Sequence, residues 1–269
     1  MTKITGFLAV KERKAKYLPV LIRYFRVTYF RPMKTKLPFF RGSMLVITLG
    51  VSLVLLLSAG GSVPVPQKHF SANVPGQDIY QQLHLSELGL NKQAFDLAIK
   101  GLEKLKTNGV VTRDIISICD FTQSSNNKRL YIIDMDSRKL LINSLVAHGK
   151  NTGDEFARYF SNDPSSYKSS LGFYTTKQTY VGEHGLSLKL SGREPGFNDK
   201  AEERSIVLHG ADYVCDNFIC TAGRLGRSFG CPSVPVELRD KIINTIKDGT
   251  CLFIFYPDKK YLASSELLN

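Results

Sequence analysis

The sequence predicts a mainly β (α+β) domain over residues 90–269, in which an amphipathic helix precedes an antiparallel sheet and a short helix lies near the C-terminus. Two observations lead to this prediction. Apolar residues recur with a helical period after residue 90 and with an alternating period after residue 115. Turn-forming residues then separate short apolar runs of strand length. We therefore expect a single, mainly antiparallel β domain with helices at its entry and near its end.

The first predicted element is the amphipathic helix. Its apolar residues fall on one face and are Phe95, Ala98, Ile99, Leu102 and Leu105. Asn91 is a suitable N-cap, and Asn108-Gly109 ends the helix. This face is expected to be buried against another part of the fold.

The sheet is predicted from the alternating runs that follow the helix. We interpret as strands residues 115–121, 129–134, 139–146, 172–181, 186–190, 205–209 and 250–256. The break at Asp136-Ser137-Arg138 predicts a hairpin turn. Helical spacing returns over residues 236–246, with Pro235 at the start and Gly249 beyond the end.

The positive charge of the chain lies in one segment. The formal net charge is +12, and 43% of the residues are hydrophobic, which is enough for a substantial core. Residues 1–43 contain eleven Lys or Arg and one acid, a charge of +10, which leaves only +2 for the rest. The basicity therefore belongs to this N-terminal segment, and we do not expect the domain to bind nucleic acid.

An uncharged apolar segment follows at residues 44–61 and predicts export. A basic flank before an apolar run is typical of a signal peptide or a membrane anchor, and the sequence leaves both open. Met33 is an alternative start that would give a leader of ordinary length. Residues 62–89 are predicted to be a linker. The domain is thus expected in an oxidising compartment, the periplasm or cell envelope, either released or held by residues 44–61 in the inner membrane.

A histidine and a cysteine in glycine-rich turns are the candidate site. His209 closes the apolar run 206–208, and Cys231 follows Gly230. A cysteine needs a nearby base to become a nucleophile, and glycines such as Gly210 and Gly230 let the backbone approach a substrate. The backbone amides around Cys231, in the turn that Ser228 and Phe229 complete, are candidate donors to an oxyanion.

These segments carry a family resemblance. Ser205-Ile-Val-Leu-His-Gly-Ala211 and Gly223-Arg-Leu-Gly-Arg-Ser-Phe-Gly-Cys-Pro232 resemble the catalytic signature of the L,D-transpeptidases of bacterial cell walls (YkuD-like domains), in the variant subfamily of murein L,D-transpeptidase catalytic domains. The resemblance covers roughly residues 90–257, including Leu145-Val-Ala-His-Gly149. It implies an L,D-transpeptidase-like fold, with His209 as the base and Cys231 as the nucleophile.

The motif also departs from the common form of the family. Phe229 stands where the common motif has a histidine, and Pro232-Ser233 follow the cysteine. We therefore expect other groups to orient the substrate. Arg224 and Arg227 are candidates for binding a stem-peptide carboxylate, with solvated loop charges as the alternative. His148 resembles a family position and is either a cleft residue or a structural histidine.

The resemblance implies acyl transfer on peptidoglycan stem peptides, without a cofactor. The acyl acceptor is left open, because a stem amine, a protein amine or water gives a cross-link, a tethered protein or an L,D-carboxypeptidase reaction. A non-catalytic wall-binding domain and a hydrolytic peptidase are the alternatives.

The remaining cysteines allow a disulfide or a metal site. Cys215 and Cys220 are candidates for a short disulfide, with two free thiols as the alternative. Cys119 and Cys251 lie in apolar runs and are expected to be buried. A zinc site built from His184, His209 and the cysteines at 215, 220 and 231 is disfavoured, because the ligand spacing is unusual.

Overall fold

The computed structural model of the protein describes residues 77–269, and the predicted leader, apolar segment and most of the predicted linker lie outside these residues. The helices are α1 (Gln77–Gln82), α2 (Lys92–Thr107), α3 (Asp216–Ala222), α4 (Val236–Ile246) and α5 (Lys259–Ser264). The strands are β1 (Ile115–Asp120), β2 (Leu130–Asp134), β3 (Lys139–Ser144), β4 (Gly172–Gly182), β5 (Gly185–Gly192), β6 (Val207–Gly210), β7 (Ser233–Val234) and β8 (Cys251–Phe255).

All eight strands form one sheet in the order β3-β2-β1-β8-β4-β5-β6-β7. Most neighbouring strands run antiparallel, which confirms the predicted mainly β class. Two pairs are parallel, β1 with β8 and β6 with β7. The sheet is therefore mixed, and its second parallel pair lies at the edge that carries His209.

The two predicted longer helices are confirmed and lie against the sheet. α2 packs on β1 and β8, and the Asn91 side chain caps it by accepting from the backbone of Gln93 and Ala94. Close approach depends on Gly101, because a Cβ there would lie 2.1 Å from the Phe173 ring. α4 packs on β5 and β6. It therefore supports the strands that carry the candidate site.

The folded domain begins before residue 90, so the predicted linker is too long at its C-terminal end. Tyr80 and Leu85 are buried in the core, and the Tyr80 hydroxyl donates to Leu90 O at 2.5 Å. The Tyr131 hydroxyl of β2 donates to Leu88 O at 2.7 Å. Burial of these apolar side chains holds residues 78–90 on the domain. Within residues 77–269, no helix has the length and apolar character needed to cross a bilayer.

Candidate active site

A cavity of about 610 Å³ opens beside β6 and brings the two predicted residues together. His209 and Cys231 both line it, as do Arg204 and Tyr213. Its outer wall includes His184, from the turn between β4 and β5. The cavity therefore collects side chains from segments far apart in the chain.

The pairing of β6 with β7 sets the position of Cys231. His209 lies opposite Ser233 in this parallel pair, and Cys231 precedes Ser233 by two residues. The Cys231 sulfur accepts a hydrogen bond from Val207 N at 3.5 Å and donates to Ser205 O at 3.8 Å. Donation requires the proton on sulfur, so this arrangement is that of the resting thiol. Burial raises the pKa of Cys231, and the Val207 N–H and the charge of Arg204 act against this shift.

The His209 ring is oriented by hydrogen bonds at both nitrogens. Nδ1 lies 2.9 Å from Gly210 O, a pure acceptor, so Nδ1 carries the proton in the neutral ring. Nε2 is then the basic nitrogen, and it accepts from Ser233 Oγ at 3.0 Å. The same hydroxyl lies 3.2 Å from the Tyr213 hydroxyl. The ring is therefore held in the tautomer that a general base requires.

The environment of His209 favours its neutral form. The side chain is buried, and this burial lowers its pKa below the ordinary value. The Gly210 carbonyl acts in the opposite direction, and His184 lowers the pKa further. The His184 ring stacks on that of His209 with centroids 4.3 Å apart. Among residues 77–269 no hydrogen bond joins Cys231 to His209, although both side chains line the same cavity.

The turn before Cys231 is held in a conformation that requires glycine. Gly230 has φ +130°, and a Cβ there would lie 2.9 Å from Lys168 O. Ser228 closes the turn, since its hydroxyl donates to Cys231 O at 2.6 Å and accepts from Gly230 N at 3.0 Å. The Gly230 N–H is therefore occupied, whereas the Cys231 N–H has no partner within the described residues. Of the two amides, that of Cys231 is the one available to an oxyanion.

Two other predicted support residues have different surroundings. Phe229 is 67% exposed at the cavity rim, where its ring lies 4.9 Å from that of Tyr167 and 4.7 Å from the Lys150 ammonium. Gly210 lies under α4, and a Cβ there would lie 2.9 Å from Arg239 Cδ. Gly210 thus allows the helix to pack closely on β6, in addition to orienting His209 through its carbonyl.

The predicted carboxylate-binding arginines are placed differently from each other. Arg227 lines the cavity but pairs with Asp154 at 2.6 Å and also donates to Gly153 O at 3.0 Å. Arg224 donates to Leu225 O at 2.7 Å and does not line the cavity. Only Arg227 therefore faces the candidate site, and its charge is already neutralised.

His148 is a buried histidine of the core behind the site. It is 1% exposed, accepts from Arg129 Nη2 at Nδ1 (2.8 Å) and donates from Nε2 to Gly153 O (3.2 Å). Both nitrogens are satisfied within the protein, which agrees with the structural role that the sequence allowed. Burial, and then the charge of Arg129, lowers the pKa of His148 to about 3.

This depressed pKa predicts acid sensitivity. The folded state keeps His148 neutral to about pH 3, whereas the unfolded chain takes up the proton near pH 6.5. The unfolded state therefore binds more protons in this window, and the stability contributed by His148 is lost as the pH falls through it. When the pH falls from 6.5 to 5, the unfolding free energy of the wild type should decrease by about 2 kcal/mol more than that of His148→Gln. Urea denaturation of the two proteins at each pH measures this difference. His84→Gln, at an exposed histidine, should behave as the wild type; an unchanged slope in His148→Gln would contradict the assignment.

The cysteines outside the cavity are free. Cys215 is the N-cap of α3 and Cys220 lies within this helix, so the disulfide that the sequence allowed is not formed. Cys119 and Cys251 are buried, as predicted. Within residues 77–269, no three His, Cys, Asp or Glu side chains converge to hold a metal ion.

Four residues in or beside the cavity had no role in the sequence prediction of a catalytic site. Arg204, Tyr213 and Ser233 were not identified, and His184 was considered only as a metal ligand. For Arg204 the only local signal is its position two residues before the apolar run 206–208. For the others, the contacts are between segments, and local sequence carries no signal.

Comparison with known proteins gives the family of the domain. Residues 86–255 match the family model described as the L,D-transpeptidase catalytic domain. No curated protein matches the sequence significantly.

Solved structures similar to the chain come from several bacteria. An L,D-transpeptidase from Mycobacterium smegmatis is 9% identical, with 53% of this chain and 59% of that chain covered and a TM-score of 0.34. Bd1075 from Bdellovibrio bacteriovorus is 18% identical, with 53% of this chain and 48% of that chain covered and a TM-score of 0.33. The helical cell shape determining protein Pgp2 from Campylobacter jejuni is 14% identical, with 60% of this chain and 57% of that chain covered and a TM-score of 0.35. The chain thus spans less than two thirds of each of these proteins.

Proposed function

Because the chain belongs to the L,D-transpeptidase catalytic domain family, we propose that it transfers acyl groups between peptidoglycan stem peptides, with Cys231 as nucleophile and His209 as general base and acid. One observation carries this proposal. A thiol and a buried imidazole, the latter oriented with its basic nitrogen away from Gly210 O, line the same cavity. These are the two groups that acyl transfer through a thioester requires.

The first step forms a thioester. His209 Nε2 takes the Cys231 proton, and the sulfur attacks the carbonyl carbon of the L,D bond after the third residue of a tetrapeptide stem. A carbon–sulfur bond forms, and the carbon–nitrogen bond to the terminal D-alanine breaks. The proton on His209 passes to the leaving amine, so the ring returns to its neutral form. The Cys231 N–H is the proposed oxyanion donor.

Before this step, the Ser233 hydroxyl must leave the basic nitrogen of His209 so that the thiol can reach it. This hydroxyl occupies His209 Nε2 at 3.0 Å in the resting state, and the thiol proton faces Ser205 O. Rotation of the Cys231 side chain toward the ring, with the Ser233 hydroxyl turning to Tyr213 at 3.2 Å, frees Nε2 for the thiol. Catalytic hydrogen bonds commonly tighten only when substrate is bound.

The second step resolves the thioester. An acceptor amine attacks the carbonyl carbon, a carbon–nitrogen bond forms, the carbon–sulfur bond breaks, and the proton released by the amine returns to sulfur through His209. A stem amine gives a cross-link, whereas water gives a shortened stem. The proposed location is the periplasm or cell envelope, where this substrate lies, and it rests on the basic and apolar segments before residue 62.

The test is the product profile of the full-length chain on tetrapeptide-rich sacculi. We expect cross-linked dimers joined through the third residues of two stems, with release of D-alanine. His209→Ala is expected to lower the rate by about 10²- to 10⁴-fold, because the proton transfers lose their carrier. The matched control is His84→Ala, at an exposed histidine outside the cavity, which should retain the rate.

Each alternative function has its own result in the same assay. Tripeptides without dimers, even when a free amine is added as acceptor, would indicate an L,D-carboxypeptidase and overturn the transpeptidase assignment. Binding to sacculi with an unchanged profile would indicate a non-catalytic wall-binding domain. An unchanged rate in His209→Ala would contradict the role of the histidine alone.

A further inference from the structure

Arg204 lies in the cavity wall next to the turn that carries Cys231. It precedes β6 by three residues and lines the same cavity as the thiol. A Cβ on Gly230 would lie 3.3 Å from Arg204 Nη2, so the guanidinium packs against the bare Cα of the residue before the cysteine. The glycine therefore allows a positive charge to lie against the turn that carries Cys231.

Neutral groups hold this guanidinium in place. Nη1 donates to Ser161 O at 2.9 Å and to Ser170 Oγ, and Nη2 donates to Lys168 O at 2.6 Å and Ser166 Oγ at 3.3 Å. No carboxylate among residues 77–269 forms an ion pair with it. A partly buried charge normally has a partner of opposite sign. Arg204 is thus a rigid cation without a resident counter-ion.

Arg227 lines the same cavity but, unlike Arg204, has a carboxylate partner. Its guanidinium pairs with Asp154 at 2.6 Å, which neutralises its charge. The two arginines have the same chemistry and share a cavity, but only Arg204 has an uncompensated charge. An anion that forms in this cavity would therefore be stabilised mainly by Arg204.

We propose that Arg204 supplies the positive charge that stabilises the Cys231 thiolate once its proton has moved to His209. This inference rests on the proposed function, in which that transfer begins the reaction. The transfer breaks the S–H bond, forms an N–H bond at Nε2 and creates a thiolate and an imidazolium in a partly desolvated site. Burial opposes this charge separation by raising the pKa of the thiol and lowering that of the ring. The charge of Arg204 acts in the favourable direction on the thiol, together with the Val207 N–H.

Other titratable and charged groups face this pair from several elements. They are Tyr213 and His209 near the thiol, Tyr174 and Asp163 near the guanidinium, and His184, Glu183 and Arg227 in the cavity wall. Burial raises the pKa of both tyrosines, so their hydroxyls stay neutral when the thiol titrates. Asp163 forms no ion pair with Arg204 in the described structure. None of these groups replaces the charge of Arg204 beside the sulfur.

The test measures the ionisation of Cys231 directly, without turnover. The full-length chain is prepared with Cys215→Ser and Cys220→Ser, because the buried Cys119 and Cys251 leave Cys231 as the reactive thiol of the folded domain. The rate of alkylation by iodoacetamide is followed by intact mass from about pH 6 to 11, because burial raises the pKa of the thiol above its ordinary value. Arg204→Gln is expected to raise the pH midpoint by about one unit or more, the usual effect of removing a neighbouring opposite charge.

Two further variants separate charge from anchoring. Arg204→Lys keeps the charge but not the four hydrogen bonds, so its midpoint should stay within about half a unit of the wild type. Arg227→Gln, the matched control, should leave the midpoint in place because Asp154 already neutralises that arginine. Thermal melting verifies that each variant is folded.

The pH midpoints of these variants decide whether the charge of Arg204 stabilises the thiolate. A wild-type midpoint in Arg204→Gln overturns the inference, and so does an equal shift in Arg204→Lys and Arg204→Gln, which would show an anchoring role only. If Arg204→Gln does not fold, Arg204→Lys decides, and a shift of a full unit there overturns it. A midpoint that depends on Arg204 in a chain that yields no muropeptide products would contradict the proposed function and leave this inference standing.

Discussion

Cys231→Ala is expected to reduce transpeptidation on sacculi by at least about 10³-fold, because no thioester can form without the sulfur and the other parts of the site act only through it. The fold should be preserved. The thiol makes only two long contacts, at 3.5 Å to Val207 N and 3.8 Å to Ser205 O. Both partners line the cavity, so water can replace the sulfur there when alanine is introduced. The melting temperature should therefore change by a few degrees at most.

The control for this prediction is another cysteine on the same domain. Cys215 is a partly exposed free thiol in the N-cap of α3, outside the cavity, so Cys215→Ala should keep the wild-type rate. Incubation with a carbapenem gives a second measurement, since we expect one covalent adduct per chain in the wild type and in Cys215→Ala. Full activity, or an adduct, in Cys231→Ala would remove Cys231 from the mechanism.

Arg129→Met is expected to give the largest loss of stability, about 3–5 kcal/mol of unfolding free energy. Arg129 is fully buried and donates from Nε and Nη2 to Val146 O (3.1 and 3.0 Å), from Nη1 to Gln123 O (2.9 Å) and from Nη2 to His148 Nδ1 (2.8 Å). Its guanidinium also lies 4.7 Å from the centre of the Phe121 ring. Methionine fills similar volume but leaves three buried acceptors without donors.

The effect should reach the candidate site, because the segment held by Arg129 pairs with the residues around Cys231. Ala147 N donates to Ser233 O at 2.8 Å, and Ser228 N donates to His148 O at 3.0 Å. Urea denaturation measures the stability, and Arg138→Met is the control. Arg138 is an exposed arginine whose pairing with Asp78 at 3.1 Å should contribute less than about 1 kcal/mol. Equal losses in the two variants would contradict the structural role of Arg129.

The elements that the sequence predicted well are those with a long local pattern. The α2 helix begins after the predicted cap Asn91, and α4 begins after Pro235, because capping and apolar spacing act within a few residues. The hairpin at 136–138 also follows local chemistry, since Asp134 accepts from the backbone of Asp136 and Ser137. These features depend on neighbours in the chain.

The elements that were missed are short or depend on distant partners. The helices α1, α3 and α5 contain six or seven residues, too few to show a helical period, and β7 contains two. The parallel pairing of β1 with β8 joins Ile116 to Cys251 across more than half of the domain. Its direction follows from the path of the whole chain and has no local signal.

For the candidate site too, some features follow from local sequence and others from contacts between distant segments. The sequence by itself determined the residue types that acyl transfer requires, with glycines beside His209 and Cys231, and a motif that departs from its family at Phe229 and Pro232-Ser233. The identity of the two proposed reacting groups is a local matter, because each lies in one short motif.

Only the tertiary structure decided which charges and hydrogen bonds surround those groups. From the sequence Arg227 was a candidate for substrate binding and Arg204 was not, yet Asp154 neutralises the first, whereas neutral oxygens from residues 161–170 hold the second beside Gly230. Likewise Ser233 reaches His209 only because β6 and β7 pair. The physical reason is that burial and the distances between charges depend on segments brought together by folding, and these determine the electrostatics of a site.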